Sequence, residues 1–131
     1  MLNPDSVGRT FTGAYSITVS QSEIDAFASV VGETNTTVAP PTFSIRASLE
    51  ESQAILSNPE IGLDWQRVVH GDQRFILSRP IVAGDVLKCD STIEGYKVAA
   101  GNEIVTVRSD LRDAVSGEVV VSTWSTLVVR A

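Results

Sequence analysis

The sequence predicts an α+β fold in which an antiparallel sheet wraps around one helix, and three observations carry that expectation. Two stretches with helical spacing of apolar residues lie before residue 60, after a single early strand. From Arg67 onward the chain alternates apolar and polar residues, the period of strands with one face inward. The breaks between these later runs hold turn residues instead of helices, so hairpins join them with few long connections.

The elements follow in order. Tyr15, Ile17 and Val19 alternate with Ser16, Thr18 and Ser20, which makes a half-buried first strand. Ser22 precedes Glu23 and Asp25, an oxygen-bearing cap with acidic residues in the first turn of a helix. Ile24, Phe27, Ala28 and Val31 then form one apolar stripe, and Gly32 closes the helix. After a brief polar link, Pro40 and Pro41 lead into a longer helix over 42–56, proline being suited to the first helical position. Ile45, Leu49 and Leu56 are expected on its inward face, and Asn58-Pro59 stops it.

Arg67 to Phe75 and then Val86 onward read as two strands joined at a fixed corner. Pro80 cannot donate to a ladder, and Ala83-Gly84-Asp85 is turn chemistry. Leu87, Cys89 and Ile93 oppose Lys88, Asp90, Thr92 and Glu94 on the next strand, which places Cys89 in the core as a small apolar residue. Val105, Val107 and Leu111 oppose Thr106, Arg108, Asp110 and Arg112 on the following one. Val119 to Val129 is apolar at both parities, so both of its faces are expected to be covered. Ala100-Gly101-Asn102 and Ser116-Gly117 supply residues that tolerate positive φ, as hairpins need.

At 131 residues the chain reads as one domain, long enough to bury roughly two-thirds of its unfolded surface. The formal charge of −6 and the lack of a Lys/Arg cluster argue against nucleic-acid binding. No apolar run approaches the roughly 18 residues that cross a bilayer, and the first residues do not resemble a signal peptide. A lone Cys89 forms no internal disulfide, so a cytosolic location is expected.

Four segments taken together make a recognisable pattern: Arg67-Val68-Val69-His70-Gly71-Asp72-Gln73-Arg74-Phe75, the Arg79–Leu87 block, Ala39-Pro40-Pro41-Thr42-Phe43, and Ser122–Val129. From Val7 to Ala131 the chain resembles the MaoC-like and FAS1-like dehydratases, which are hot-dog proteins acting on acyl thioesters. Within them it is most similar to the non-catalytic subunit of (3R)-hydroxyacyl-ACP dehydratases. The resemblance implies a hot-dog fold, an acyl-CoA or acyl-ACP ligand, no cofactor, and pairing with an identical chain or a sister subunit.

Dehydration of a 3-hydroxyacyl thioester needs an acid and a base at opposite ends of a short reacting unit. It also needs donors for the thioester oxygen, for which the turn into the Pro40 helix is the candidate. In the hydratases of the resembled family the acid/base pair comes from Gly-Asp-x-Asn-Pro-x-His. Laid on this chain, that motif falls at Gly32-Glu33-Thr34-Asn35-Thr36-Thr37-Val38. Gly32 and Asn35 match, Glu33 replaces the aspartate, and Val38 stands where the histidine belongs. The family also carries a longer helical excursion between this motif and Ala39. Either a true deletion or a segment missing from the chain accounts for the short link.

Glu33 and Asn35 are the candidate catalytic positions, set against a role in bonding the local backbone. Pro41, Thr42, Phe43 and His70 are the candidate substrate-binding residues. An imidazole is the side chain best suited to acid–base work without special tuning, but the distance of His70 from the motif favours a strand histidine bonded to a neighbour. Trp65 and Trp124 are read as packing or interface anchors. Arg67, Arg74 and Arg79 are candidates for meeting an acidic carrier. One histidine and one cysteine far apart make no zinc site. Two other functions remain open: a self-sufficient thioesterase or hydratase using Glu33, and an acyl-binding or scaffolding protein without turnover.

Overall fold

The computed structural model describes residues 1–131 apart from the side chain of Tyr15, so the reading of Tyr15 as an inward residue lies outside the described residues. The strands are β1 (Thr10–Thr18), β2 (Val68–Leu77), β3 (Val86–Ala99), β4 (Asn102–Asp113) and β5 (Val119–Val129). The helices α1 (Gln21–Val31) and α2 (Ile45–Leu56) lie between β1 and β2 in the chain. All five strands form one antiparallel sheet in the order β1-β3-β4-β5-β2, and α2 lies against β1, β3 and β4. The antiparallel sheet around a central helix is the hot-dog arrangement expected from sequence.

Two tight turns set the β3–β4–β5 meander. Ala100 and Gly101 both take positive φ (51° and 78°), the two-residue turn whose twist matches the strands it joins. In the next connection Gly117 has φ 75°, and the Asp113 carboxylate accepts from the N–H groups of Val115 and Ser116. From Ile104 to Leu111 in β4 and from Val121 to Val129 in β5, buried residues alternate with half-buried ones, and Val120 is buried as well. Here one expectation fails: β5 is not covered on both faces. Ser122, Trp124, Thr126 and Val128 stay half-buried on the side away from α2, where no described element lies over them.

The helices differ from the sequence reading in ways that matter for the site. The cap of α1 is Ser20, not Ser22: the Ser20 hydroxyl accepts from the Glu23 N–H at 3.2 Å, because β1 already ends at Thr18. Gly32 closes the helix with φ 78°, as expected, while Val31 in its last turn is exposed. The start of α2 comes later than Thr42. Phe43, Ile45, Arg46 and Ala47 each donate three residues back, so tight turns precede Ser48, whose N–H bonds the Ser44 carbonyl at 3.0 Å.

The inward face of α2 is Ala47, Ser48, Glu51, Ser52 and Leu56, whereas Leu49 is 40% exposed. Counting aliphatic residues therefore placed the stripe about one position out of true. The Ser52 hydroxyl donates to the Ser48 carbonyl at 2.6 Å and meets the Ser109 hydroxyl of β4 at 2.9 Å. Ser109 in turn meets Ser91 of β3 at 3.0 Å. These hydroxyls lie between two apolar clusters, one holding Ile24, Phe43, Leu87 and Leu111, the other Leu56, Ile93, Val107 and Leu127. Cys89 belongs to the first, and burial pushes its thiol up to about 11, so it is an inert core residue.

Next to this seam β1 bulges. Its register passes from Thr12 opposite Asp90 to Ser16 opposite Lys88, so Gly13, Ala14 and Tyr15 together face Cys89. Only glycine fits at position 13: a Cβ there would stand 2.6 Å from the Glu51 carboxylate and 2.7 Å from the Cys89 carbonyl oxygen. Glu51 is 8% exposed, and burial, helped by the neighbouring Glu50, raises its carboxyl above the ordinary 4.5.

Because the folded protein holds that proton to higher pH than the unfolded chain does, stability falls as pH rises from 4.5 through the folded-state value. Glu51→Gln should remove this part of the pH dependence and raise stability at pH 7. Urea unfolding from pH 4 to pH 8 checks it, and a variant less stable than the parent at pH 7 contradicts it.

Candidate functional site

The corner after β2 is built around one guanidinium. Residues 78–85 must carry the chain from β2, at one edge of the sheet, to β3, next to the opposite edge. Arg79 holds this crossing closed. Its two terminal nitrogens donate to both oxygens of Asp85, at 2.8 and 3.1 Å, and one also reaches Asp113 at 3.3 Å. Asp85 accepts a further bond from the Val82 N–H at 2.9 Å, and Gly84 takes φ 93° to let the turn close. Backbone donation from Ser116 and Val115, with Arg79 nearby, lowers the Asp113 carboxyl below its usual range.

The link between the helices is sewn to this corner. The Ala39 N–H donates to the Ile81 carbonyl at 2.7 Å, and Gln21 of α1 donates to the Thr36 carbonyl at 2.8 Å. Between link and corner lies a hollow of about 300 Å³ lined by Val38, Ala39, Pro41, Leu77, Ser78, Arg79 and Pro80. A second hollow of about 410 Å³ shares Ser78 and Arg79 and reaches Glu118 and Val120. The first is walled mostly by aliphatic and proline side chains. Such a surface suits an acyl chain, since each buried methylene contributes about 0.8 kcal/mol.

The sequence-derived site residues fall in different places. Pro41 lines the hollow, and so does Val38, the position that lacks the histidine. Thr42 is exposed beside it, while Phe43 is buried under it and meets Phe27 edge-on with ring centres 5.5 Å apart. Glu33 and Asn35 stand on the exposed link. One Glu33 oxygen accepts from the N–H groups of Thr34 and Asn35, and the Asn35 side-chain oxygen accepts from the Thr37 N–H and hydroxyl. The turn before α2 offers few free donors, because four of its N–H groups are already bonded three residues back.

His70 lies at the other end of β2. Its Nε2 is 2.9 Å from the Gln73 side-chain oxygen, which also accepts from the Ser125 hydroxyl at 2.6 Å. Of the three candidate arginines, Arg79 is tied into the corner, and Arg74 lies 4.1 Å over the ring of Trp124. Trp124 also donates to Glu94, on the sheet face away from α2. Arg67 ends a short 3-10 turn, and its carbonyl accepts from the Arg130 N–H. Leu77 and Ser78 were not singled out from sequence. The signal that could have found them is their position immediately before Arg79-Pro80, where a strand must end beside the link.

Among the described residues no group of three or more His, Cys, Asp or Glu is arranged to hold a metal ion. No helix among them is long and apolar enough to cross a membrane.

A family model described as "FAS1-like, dehydratase domain region" matches residues 5–123. A UPF0336 protein of Streptomyces coelicolor is 37% identical, covering 99% of this chain and 96% of its own. That alignment runs over 145 positions against the 131 residues here, so the relative carries residues that this chain lacks. Among solved structures, the C-terminally truncated HadBC (3R-hydroxyacyl-ACP dehydratase) complex of Mycobacterium tuberculosis has a TM-score of 0.84 at 23% identity. It covers 97% of this chain and 99% of its own. The R-hydratase PhaJ1 of Pseudomonas aeruginosa has a TM-score of 0.66 at 17% identity, covering 95% of this chain and 81% of its own. At these identities the structural likeness speaks for the fold.

Arg79→Ala should lower stability by about 1–2 kcal/mol, since it leaves Asp85 without its two-pronged partner. Arg79→Lys should recover less than half of that, a point charge being unable to bond both oxygens. Urea unfolding of the three proteins measures both, and full recovery by lysine contradicts the two-pronged account.

Proposed function

The chain belongs to the FAS1-like dehydratase-region family, and on that premise we propose that it is a hot-dog subunit of an (R)-3-hydroxyacyl thioester dehydratase or enoyl-thioester hydratase. Its own part is to bind the acyl chain and to stabilise a dimer. It works as a single domain in the cytosol, on a thioester carried by coenzyme A or by a carrier protein.

The observation that carries this reading is the hollow between link and corner. It is aliphatic where an acyl chain needs it, and it has Val38 at the position where related hydratases keep an imidazole. Removing the proton beside the thioester carbonyl and protonating the departing hydroxyl take two exchangeable groups at the reacting unit. Val38 supplies none, and the Asn35 side-chain oxygen and one Glu33 carboxylate oxygen are engaged within the link. A sister hot-dog subunit bringing its own carboxylate and imidazole completes the reaction, while this chain contributes walls and packing.

Crotonyl-CoA tests this. The purified protein should bind it saturably by calorimetry, with no hydration above the uncatalysed rate. Ala39→Trp, which fills the hollow, should weaken binding by about tenfold or more. Rapid hydration by the pure protein, abolished by Glu33→Ala, would overturn the non-catalytic assignment.

A further inference from the structure

The free side of β2 matches itself. The Ser78 N–H donates to the Val120 carbonyl at 2.8 Å, so Ile76, Arg74 and Asp72 also turn their amides toward β5. Leu77, Phe75 and Gln73 therefore turn theirs to the open edge. The bulge between His70 and Asp72 resets the alternation. Beyond it the Arg67 carbonyl accepts from Arg130 of the β5 side at 3.0 Å and the Val68 N–H donates to the Trp65 carbonyl, which leaves the His70 amide facing the open edge. Along that edge the free amides belong in order to His70, Gln73, Phe75 and Leu77.

A second copy laid antiparallel about Gln73 places every pair sensibly. Phe75 meets the partner's His70, and Leu77 meets the partner's Val68. On the outer face Asp72 meets the partner's Arg74, and Ile76 meets the partner's Val69. Among the described residues neither Asp72 nor Arg74 has an ion-pair partner within its own chain. Val69 and Ile76 are apolar yet 44% and 55% exposed. Opposite charges and matched apolar residues directly across a strand pair are the stabilising combinations. The other edge cannot extend the ladder in this way, because β1 is interrupted at Gly13–Tyr15.

This pairing has a chemical consequence. His70 is cross-strand from Leu127, which is buried toward α2, so the imidazole lies on the α2 side of the sheet. Its own hollow begins at Leu77, seven residues and about 23 Å further along the strand. The partner's His70, opposite Phe75, stands one inward row from Leu77, about 7 Å away. We infer that His70 of each copy serves the hollow of the other, with its free ring nitrogen accepting a hydrogen bond from the hydroxyl of a bound 3-hydroxyacyl thioester. The ring is held for that role: Nε2 donates to the Gln73 oxygen, which leaves Nδ1 as the acceptor. The inference rests on the acyl-binding reading above and adds which subunit recognises the hydroxyl.

His70 is the only histidine, so its imidazole gives a single set of NMR signals. In the dimer those signals should move on adding (3R)-hydroxybutyryl-CoA and stay nearly still with butyryl-CoA. His70→Ala should weaken the hydroxy ester about fivefold and leave butyryl-CoA binding within about twofold. Asp72→Arg should give a monomer whose imidazole no longer responds, and Asp72→Arg with Arg74→Asp should restore both dimer and response. Gln73→Cys should form an intermolecular disulfide on mild oxidation, whereas Ile76→Cys should not. An imidazole unmoved while calorimetry shows the hydroxy ester bound overturns the inference and spares the acyl-binding reading. A response that persists in the monomer does the same, and so does failure of Gln73→Cys to cross-link. If neither ester binds the dimer, both readings fall.

Discussion

Contact between α2 and the sheet runs through hydroxyls, and the rest of the molecule is arranged around that fact. A helix laid on a sheet normally interdigitates aliphatic side chains. Here Ser52, Ser109 and Ser91 bond one another in a row, and Ser48 and Ala47 add little bulk. Small side chains let the helix axis sit close, and the hydrogen bonds offset the loss of water from the Ser52, Ser91 and Ser109 oxygens, whereas the Ser48 hydroxyl is buried without a partner. The row also fixes how far α2 slides along β3 and β4, which decides where its first turn stands. Everything at the far end, from Pro40 to Phe43, inherits that position.

The hollow is a by-product of two constraints meeting. The chain must cross the end of the sheet between β2 and β3, and it must return from α1 to α2 through residues 32–44. Arg79 closes the first path through Asp85 and Asp113, and the Ala39 N–H ties the second path to Ile81. Neither path has side chains large enough to fill the space between them. The walls left facing it are Val38, Pro41, Leu77 and Pro80, whose apolar character follows from their roles as strand end, turn and link.

Much of this was legible in the residues. Alternation gave β3, β4 and their hairpin turns, because each inward aliphatic residue there has an outward polar neighbour. The Arg79-Pro80 corner and the Gly32 helix end were readable from backbone chemistry alone. What escaped was the inward face of α2: Ser48, Glu51 and Ser52 look like solvent residues, yet Ser52 meets the serines of β3 and β4 and Glu51 lies against Gly13 of β1. A sequence window cannot contain both sides of that contact. The same limit applies to the hollow, since Leu77 and Val38 lie far apart in the chain and meet only through the fold. The position of Ser20 as cap was missed for a smaller reason, the point at which β1 ends.

The link between α1 and α2 closes its hydrogen bonds almost entirely on itself, with Glu33 bonding Thr34 and Asn35, and Asn35 bonding Thr37. The Glu33 N–H ties it to the Ala28 carbonyl of α1, and Thr36 and Ala39 tie it to Gln21 and Ile81. Such a segment behaves as a splice point: sequence can be grafted into it without unzipping any ladder, since the anchors at its two ends bear the strain. Variation in length at this place would then redraw the rim of the hollow while leaving the scaffold beneath untouched.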